Sequence, residues 1–253
     1  MMTAETNFAL FAGLREGCLG FGVEDSCVVE TRMQFQGYQG VDGQCEGRDT
    51  EGRTVFTADL RQVLGSVPCF TAASLVATGH GLVRVGSLTP GTRVITRDNG
   101  MQELRWIGRR SYSWRALGLN PLLRPVRIAA GALGDGVPER DMVVSPNHRF
   151  LTRLSGEAET TERLTMARDL IGLDGVTSDN AAQVEYWQLL FTRHELVLAD
   201  GAWSESFRPT PVSLAALDAE GRDSLRSAVP GIEDELLSGF DAVRPLAEIV
   251  SAA

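Results

Sequence analysis

Between Cys69 and Leu198 turn residues interrupt the chain so often that little room is left for helix, and this limits the fold more than any other feature. Short segments rich in Val, Ile, Leu and Thr recur between the turns, at 74–78, 82–85, 93–96, 103–107, 126–129, 142–144, 150–152, 183–191 and 195–198. Gly79-His80-Gly81, Thr89-Pro90-Gly91 and Asp98-Asn99-Gly100 separate the earliest of them. Asn99-Gly100 is the strongest hairpin signal, because Asn-Gly accepts the positive φ angles of a tight turn. Short strands at this spacing predict a mainly β domain. One inserted helix is expected over 161–171, with Thr161 as N-cap, Leu164, Ala167, Leu170 and Ile171 on one face, and Gly172 as the stop.

The flanks have a different texture. Residues 1–68 carry no catalytic signature and read as a passenger. Within them, 8–14 suggests a short helix cut by glycines, 27–35 a strand, 37–52 a glycine-rich loop and 57–64 a helix capped by Thr57. After Pro209 and Pro211 the pattern turns acidic and helical. Ser213 is expected to cap one helix, Gly231 to open a second, and Asp241 with Pro245 to begin a third. The expected organisation is therefore 1–68, 69–209 and a helical acidic tail at 210–253.

A net charge of −9 argues against a general nucleic-acid binder. The alternating basic and aromatic residues of 105–115 accordingly read as a solvated strand face with aromatic packing. No stretch reaches the ~18 apolar residues of a membrane span. Residues 1–5 lack the features of a signal peptide, so the expected location is cytoplasmic, or outside the cell by a leaderless route. Cys18, Cys27, Cys45 and Cys69 all lie in the first third and form no C-x-x-C, which argues against structural zinc. The first three are expected to be small buried hydrophobes. His80 is expected to be an exposed turn residue, Asp98 and Asp200 turn formers, and Asp141 an orienting group for His148.

Cys69 opens the β region. A thiolate is a strong nucleophile, and attack by its sulfur on the Pro68 carbonyl would convert the Pro68–Cys69 peptide bond into a thioester. Such a shift needs one group to polarise the amide and stabilise the oxyanion, and another to protonate the leaving nitrogen. Ser145 and His148 place a hydroxyl and an imidazole three residues apart, with Pro146 to stiffen the loop between them. By itself S-x-x-H is a weak signal.

Three blocks, in order, strengthen it. The opening block at 69–78 and 81–96, beginning Cys69-Phe70-Thr71, then 143–151 with Ser145-Pro146-Asn147-His148, then 188–201, running from Gln188 through His194 to Ala199-Asp200-Gly201, resemble the Hint (Hedgehog/intein) superfamily in its bacterial intein-like branch. The resemblance covers 69 to about 209 and implies a mainly β, pseudo-two-fold horseshoe. It also implies Cys69 as nucleophile, Ser145 (where the family usually has Thr) and His148 as activators of the amide, and His194 as a second acid/base group. No metal or cofactor is implied.

The sequence departs from the splicing pattern: no His-Asn followed by Cys, Ser or Thr stands near Gly201 or in the tail, so full splicing is not expected. What remains is single-turnover autoproteolysis, in which 1–68 is the substrate and water, a small thiol or an amine accepts the acyl group. The Pro68 ring crowds the carbonyl and should slow the shift. Two other readings stay open: a non-catalytic Hint-shaped binding or display module, and a cysteine hydrolase acting in trans.

Overall fold

A computed structural model describes residues 30–36, 42–48, 51–59, 67–114, 117, 123–153, 162–210, 213–214, 216–232 and 240–247. The chain divides into two compact units, one within 1–66 and 209–239, the other within 67–208 and 240–253.

The first unit contains a three-stranded antiparallel meander: β1 (Glu30–Gln36), β2 (Asp42–Arg48) and β3 (Thr54–Asp59). The expected strand at 27–35 corresponds to β1. Two expectations are corrected. Residues 42–48 form a strand inside the glycine-rich stretch, and Thr57 pairs with Glu46 in β3 instead of capping a helix. In both places ladder pairing overrides local propensity.

The second unit holds β4 (Phe70–Thr71), β5 (Leu75–Thr78), β6 (Gly81–Arg84), β7 (Arg93–Thr96), β8 (Gly100–Glu103), β9 (Trp106–Ser113), β10 (Val126–Ile128) and β11 (Met142–Val144). It continues with β12 (Arg149–Arg153), β13 (Glu162–Met166), β14 (Val176–Ser178), β15 (Gln183–Leu190), β16 (Leu196–Ala199) and β17 (Ala202–Glu205). They make two open sheets. One has the order β14-β10-β11-β4-β15-β9; the other runs β13-β12-β17-β16-β5-β7-β8, with β6 on β5. The fold is mainly β, as expected.

Turn chemistry sets the registers. Gly100 takes φ +65° where β7 folds back on β8. Asp200 and Gly201 form the two-residue link between β16 and β17 with φ of +48° and +80°, the geometry a tight hairpin demands. The buried Asp200 carboxylate also accepts the Leu75 N–H at 3.2 Å, which ties that turn to β5. The core between the sheets is formed by Phe70, Val76, Val85, Leu88, Val94, Leu104, Leu189, Phe191, Val197 and Ala199. β4 thus enters the interior immediately after Cys69.

The helix expected over 161–171 is not formed as such. Its first half is β13, paired along its length with β12, and only Ala167–Leu170 makes a single 3-10 turn. The opposite edge of β13 is also used, because Leu164 donates to the Pro245 carbonyl and accepts from the Ala247 N–H. Hydrogen bonds on both edges outweigh a short helical periodicity.

The tail is likewise corrected. Thr210, not Ser213, stands at the cap, each donating its N–H to the other's hydroxyl at 2.7 and 3.0 Å. Helix α1 (Ala219–Ala228) is capped by Asp218, whose Oδ1 accepts the Gly221 N–H at 2.8 Å. Gly231 takes φ +80° beyond that helix, and helix resumes at Ile232, directly after it, as expected; residues 233–239 lie outside the described residues. Residues 240–247 are extended along β13 and form no third helix. Among the described residues no helix is long and apolar enough to cross a membrane.

Gly108 of β9 has a specific packing role. A Cβ there would overlap the Trp106 ring and the Gln188 side-chain carbonyl, and both neighbours are buried. Gly108→Ala should therefore cost about 1–3 kcal/mol through overpacking, read as a lower denaturation midpoint at unchanged m-value.

Candidate functional site

β4 is held centrally between β11 and β15, with Phe70 opposite Val144 on one side and Trp187 on the other. That pairing brings the start of the β region against the end of β11, where Ser145 begins the next loop. The Cys69 N–H donates to Ser145 Oγ at 3.0 Å, and the Ser145 N–H returns a bond to the Cys69 carbonyl at the same distance. The nitrogen of the Pro68–Cys69 bond therefore rests on a buried hydroxyl 76 residues further along the chain.

The 145–148 loop is fixed from behind. His148 donates its N–H to the Ser145 carbonyl at 3.0 Å. The 3-10 turn then closes on the loop, with Ala167 N–H on the His148 carbonyl (2.8 Å) and Arg168 N–H on the Pro146 carbonyl (3.0 Å). Arg168 also donates to Asn147 Oδ1 at 2.9 Å. Part of the segment expected as an inserted helix thus serves as the loop's clamp.

The Cys69 side chain is 4% exposed and belongs to an apolar cluster with Leu117, Val184 and Tyr186, flanked by Val67, Tyr112 and Leu123. Its sulfur is turned back toward the upstream chain, 3.6 Å from the Val67 carbonyl, and receives a hydrogen bond from Gln188 Nε2 at 3.2 Å. Burial pushes the thiol up to about 12, against the opposing pull of Gln188, Ser145 and Arg110. Tyr186 is pushed up as well, mainly by burial, and donates its hydroxyl to the Leu123 carbonyl at 2.7 Å.

His148 is fully buried between two aromatic rings, with centroids 4.4 Å from Phe70 and 5.0 Å from Phe150, both edge-on. Neither ring nitrogen has a hydrogen-bond partner among the described residues. Desolvation holds the imidazole down at about 3, opposed by the Glu205 carboxylate and assisted by Arg149, so it is neutral at neutral pH. The loop thus sends the two side chains to different places: Ser145 to the Cys69 nitrogen, and His148 into the aromatic cleft beside Phe70.

His194 lies in another polar cluster. Its Nδ1 accepts the Val243 N–H at 3.0 Å, which places the ring proton on Nε2, 2.9 Å from Glu205 Oε1. Glu205 also receives Arg149 at 2.6 Å. Burial pushes the Glu205 carboxyl up, but Arg149 and His194 together bring it below the ordinary carboxylate range. The described ring contacts of His194 are to Glu205 and Val243, not to Cys69 or Ser145. Glu205→Ala removes the carboxylate that Arg149 and His194 share inside the protein. The expected loss is about 3–5 kcal/mol of unfolding free energy, measured by urea denaturation.

Asp141 does not orient His148: it is exposed, and its Oδ1 accepts the Ala130 N–H at 3.0 Å. Asp98 does more than form a turn, because its carboxylate pairs with Arg244 at 2.9 Å. His80 is exposed in the β5–β6 turn, as expected. Cys18 and Cys27 lie outside the described residues, as does the side chain of Cys45. The 105–115 stretch is largely β9, with Arg109 over Trp187 (5.8 Å) and Arg110 over Tyr112 (5.0 Å). Among the described residues no group of three or more His, Cys, Asp or Glu is placed to hold a metal ion.

The residue that sequence reasoning passed over is Gln188. A signal was present. In β15 the inward positions are Val184, Tyr186, Gln188 and Leu190, so one uncharged polar side chain interrupts an apolar face.

The Hint domain family model matches residues 68–211, more than half the chain, and begins at the residue before Cys69. The chain belongs to the Hint domain family. Solved structures similar to it include the gp41-1 intein, at 11% identity over 56% of this chain and 98% of that one, with a TM-score of 0.34. A bacterial intein-like domain from Clostridium thermocellum matches at 15% identity over 55% and 97%, with a TM-score of 0.37. A DnaB intein from Synechocystis matches at 13% over 56% and 99%, with a TM-score of 0.33. No curated protein matches the chain.

Proposed function

We propose that this Hint domain cuts its own chain at the Pro68–Cys69 bond and releases residues 1–68 without splicing. The observation that carries the reading is the 3.0 Å hydrogen bond from the Cys69 N–H to the buried Ser145 hydroxyl. It puts a proton-transfer group on the nitrogen that must leave. Family membership and the sulfur's approach to the upstream chain support the same reading.

In the first step the Cys69 sulfur gives up its proton and bonds to the Pro68 carbonyl carbon. The carbon–nitrogen bond then breaks, and the Cys69 nitrogen gains a proton to become an amine. The step is proton-neutral overall and yields a thioester. Ser145 Oγ, which accepts the Cys69 N–H at rest, takes the proton the sulfur releases and passes its own to the leaving nitrogen, so the hydroxyl ends the step as it began. The family resemblance gives His148 to the same amide; at rest its ring lies between Phe70 and Phe150, so stabilising the oxyanion requires the imidazole to turn from that cleft toward the Pro68 carbonyl. In the second step water, a small thiol or an amine attacks the thioester carbonyl, residues 1–68 depart, and the sulfur returns to the thiol.

The second reading, a non-catalytic display module of the same shape, draws support from the same site at rest: a thiol near 12 and an imidazole near 3 are both un-ionised. Intact-mass analysis of the purified chain, with and without added thiol and beside Cys69→Ala, separates the two. A fragment beginning at Cys69, absent from the variant, supports autoproteolysis. A chain that stays whole at every pH and over long incubation supports the module.

A further inference from the structure

We infer that Gln188 is a catalytic residue of this site, donating its Nε2–H to the Cys69 sulfur so that the thiolate is stabilised both when it attacks and when it leaves. The inference rests on reading Cys69 as the nucleophile. Gln188 is 4% exposed, and its amide nitrogen stands 3.2 Å from the sulfur across the β15–β4 boundary. The chain makes room for it, since Gln188 pairs with Gly108 on β9 and any side chain at 108 would strike its carbonyl end. A buried amide on an apolar strand face is costly unless it is bonded, and the described partner of this one is the reacting sulfur.

The chemistry follows from the donor type. A thiol is a weak acceptor and a thiolate a strong one, so an N–H aimed at the sulfur favours the charged form selectively. The amide does not titrate across the working pH range, so its contribution is constant where that of an imidazole or carboxylate would change. It acts in both steps of the proposed reaction. It raises the fraction of sulfur able to attack Pro68, and it stabilises the thiolate expelled when the acceptor attacks the thioester. The cluster of Leu117, Val184 and Tyr186 opposes ionisation, and Gln188 is the side chain in contact that counters it most.

The test compares the full-length chain with Gln188→Met, which keeps length and removes the donors, and Gln188→Glu, which keeps shape and replaces the donor by an anion. Two rates are measured across neutral and mildly alkaline pH: alkylation of Cys69 by iodoacetamide, followed by peptide mass spectrometry, and appearance of the Cys69-initiated fragment. A lost hydrogen bond to a charged group raises the thiol by roughly one to two pH units, and the more basic thiolate recovers part of the rate. Alkylation in Gln188→Met should therefore slow about three- to fifteen-fold, with a pH profile displaced upward, and cleavage should slow with it. Gln188→Glu should be slower still.

Unchanged alkylation and an unchanged pH profile in Gln188→Met would overturn the inference, as would a Gln188→Glu chain that behaves like wild type. If thermal unfolding reveals that Gln188→Met is not folded, Gln188→Glu and Gln188→Asn carry the same comparison. A wild-type chain that never cleaves defeats the proposed function alone, because the alkylation rates still decide what Gln188 does to the sulfur.

Discussion

Cys69→Ala is expected to abolish the Cys69-initiated fragment entirely, and Ser145→Ala to slow its appearance by about 10²–10⁴-fold. The first follows because the described residues place no other thiol or activated hydroxyl at the Pro68 carbonyl. The second follows because Ser145 contacts the departing nitrogen, and removing a general acid costs that order of rate. The two variants should differ in kind. Cys69→Ala has no route to a thioester, so added thiol changes nothing. Ser145→Ala retains the sulfur, so its slow cleavage should still respond to thiol, and Ser145→Thr should restore most of the rate because it keeps the hydroxyl. The check is time-resolved intact mass. Equal rates for Ser145→Ala and wild type would remove Ser145 from the mechanism. A fragment from Cys69→Ala would mean that cleavage is not thiol-dependent.

Acidification is expected to destabilise the wild-type chain more than a His148→Leu variant, and the difference between them isolates one imidazole. His148 is buried and neutral, held near 3 against an ordinary value of 6.5. Between those values the unfolded chain binds a proton that the folded one refuses, so stability falls as pH drops through 6.5 and levels off near 3. From about pH 7 to about pH 4 the extra loss should reach about 3 kcal/mol, disappearing in the variant. Other groups act on both chains alike. Glu205, held below its ordinary range, adds to acid lability, while Glu195 and Asp200, raised chiefly by burial, act in the opposite direction. Urea unfolding of both proteins at the two pH values gives the comparison. Parallel losses would mean that His148 is reached by water or finds a partner when charged.

The features legible before folding are those that local chemistry encodes. Asp98-Asn99-Gly100 and Asp200-Gly201 are turn-forming sequences, so the β7–β8 turn and the β16–β17 link were legible as turns, with positive φ at Gly100, Asp200 and Gly201. The short β-rich segments between them predicted a mainly β domain, although the individual boundaries moved by a residue or more, as where the expected strand at 103–107 became the end of β8 and the start of β9. Cys69, Ser145 and His148 were grouped as candidates through the resemblance of three ordered blocks to the Hint family, since the S-x-x-H spacing is weak by itself.

Tertiary structure decided what depends on partners distant in sequence. Residues 162–166 became a strand because β12 and the 240–247 segment occupy both their edges, which no local window contains. Where Ser145 and His148 point was decided by β4 pairing with β11, which delivers the Cys69 nitrogen to the hydroxyl and leaves the imidazole between Phe70 and Phe150. The ionisation state of thiol and imidazole came from burial, a property of the packed interior. Gln188 waited on all of these, since an amide on a strand gains meaning only when another strand brings a sulfur to it.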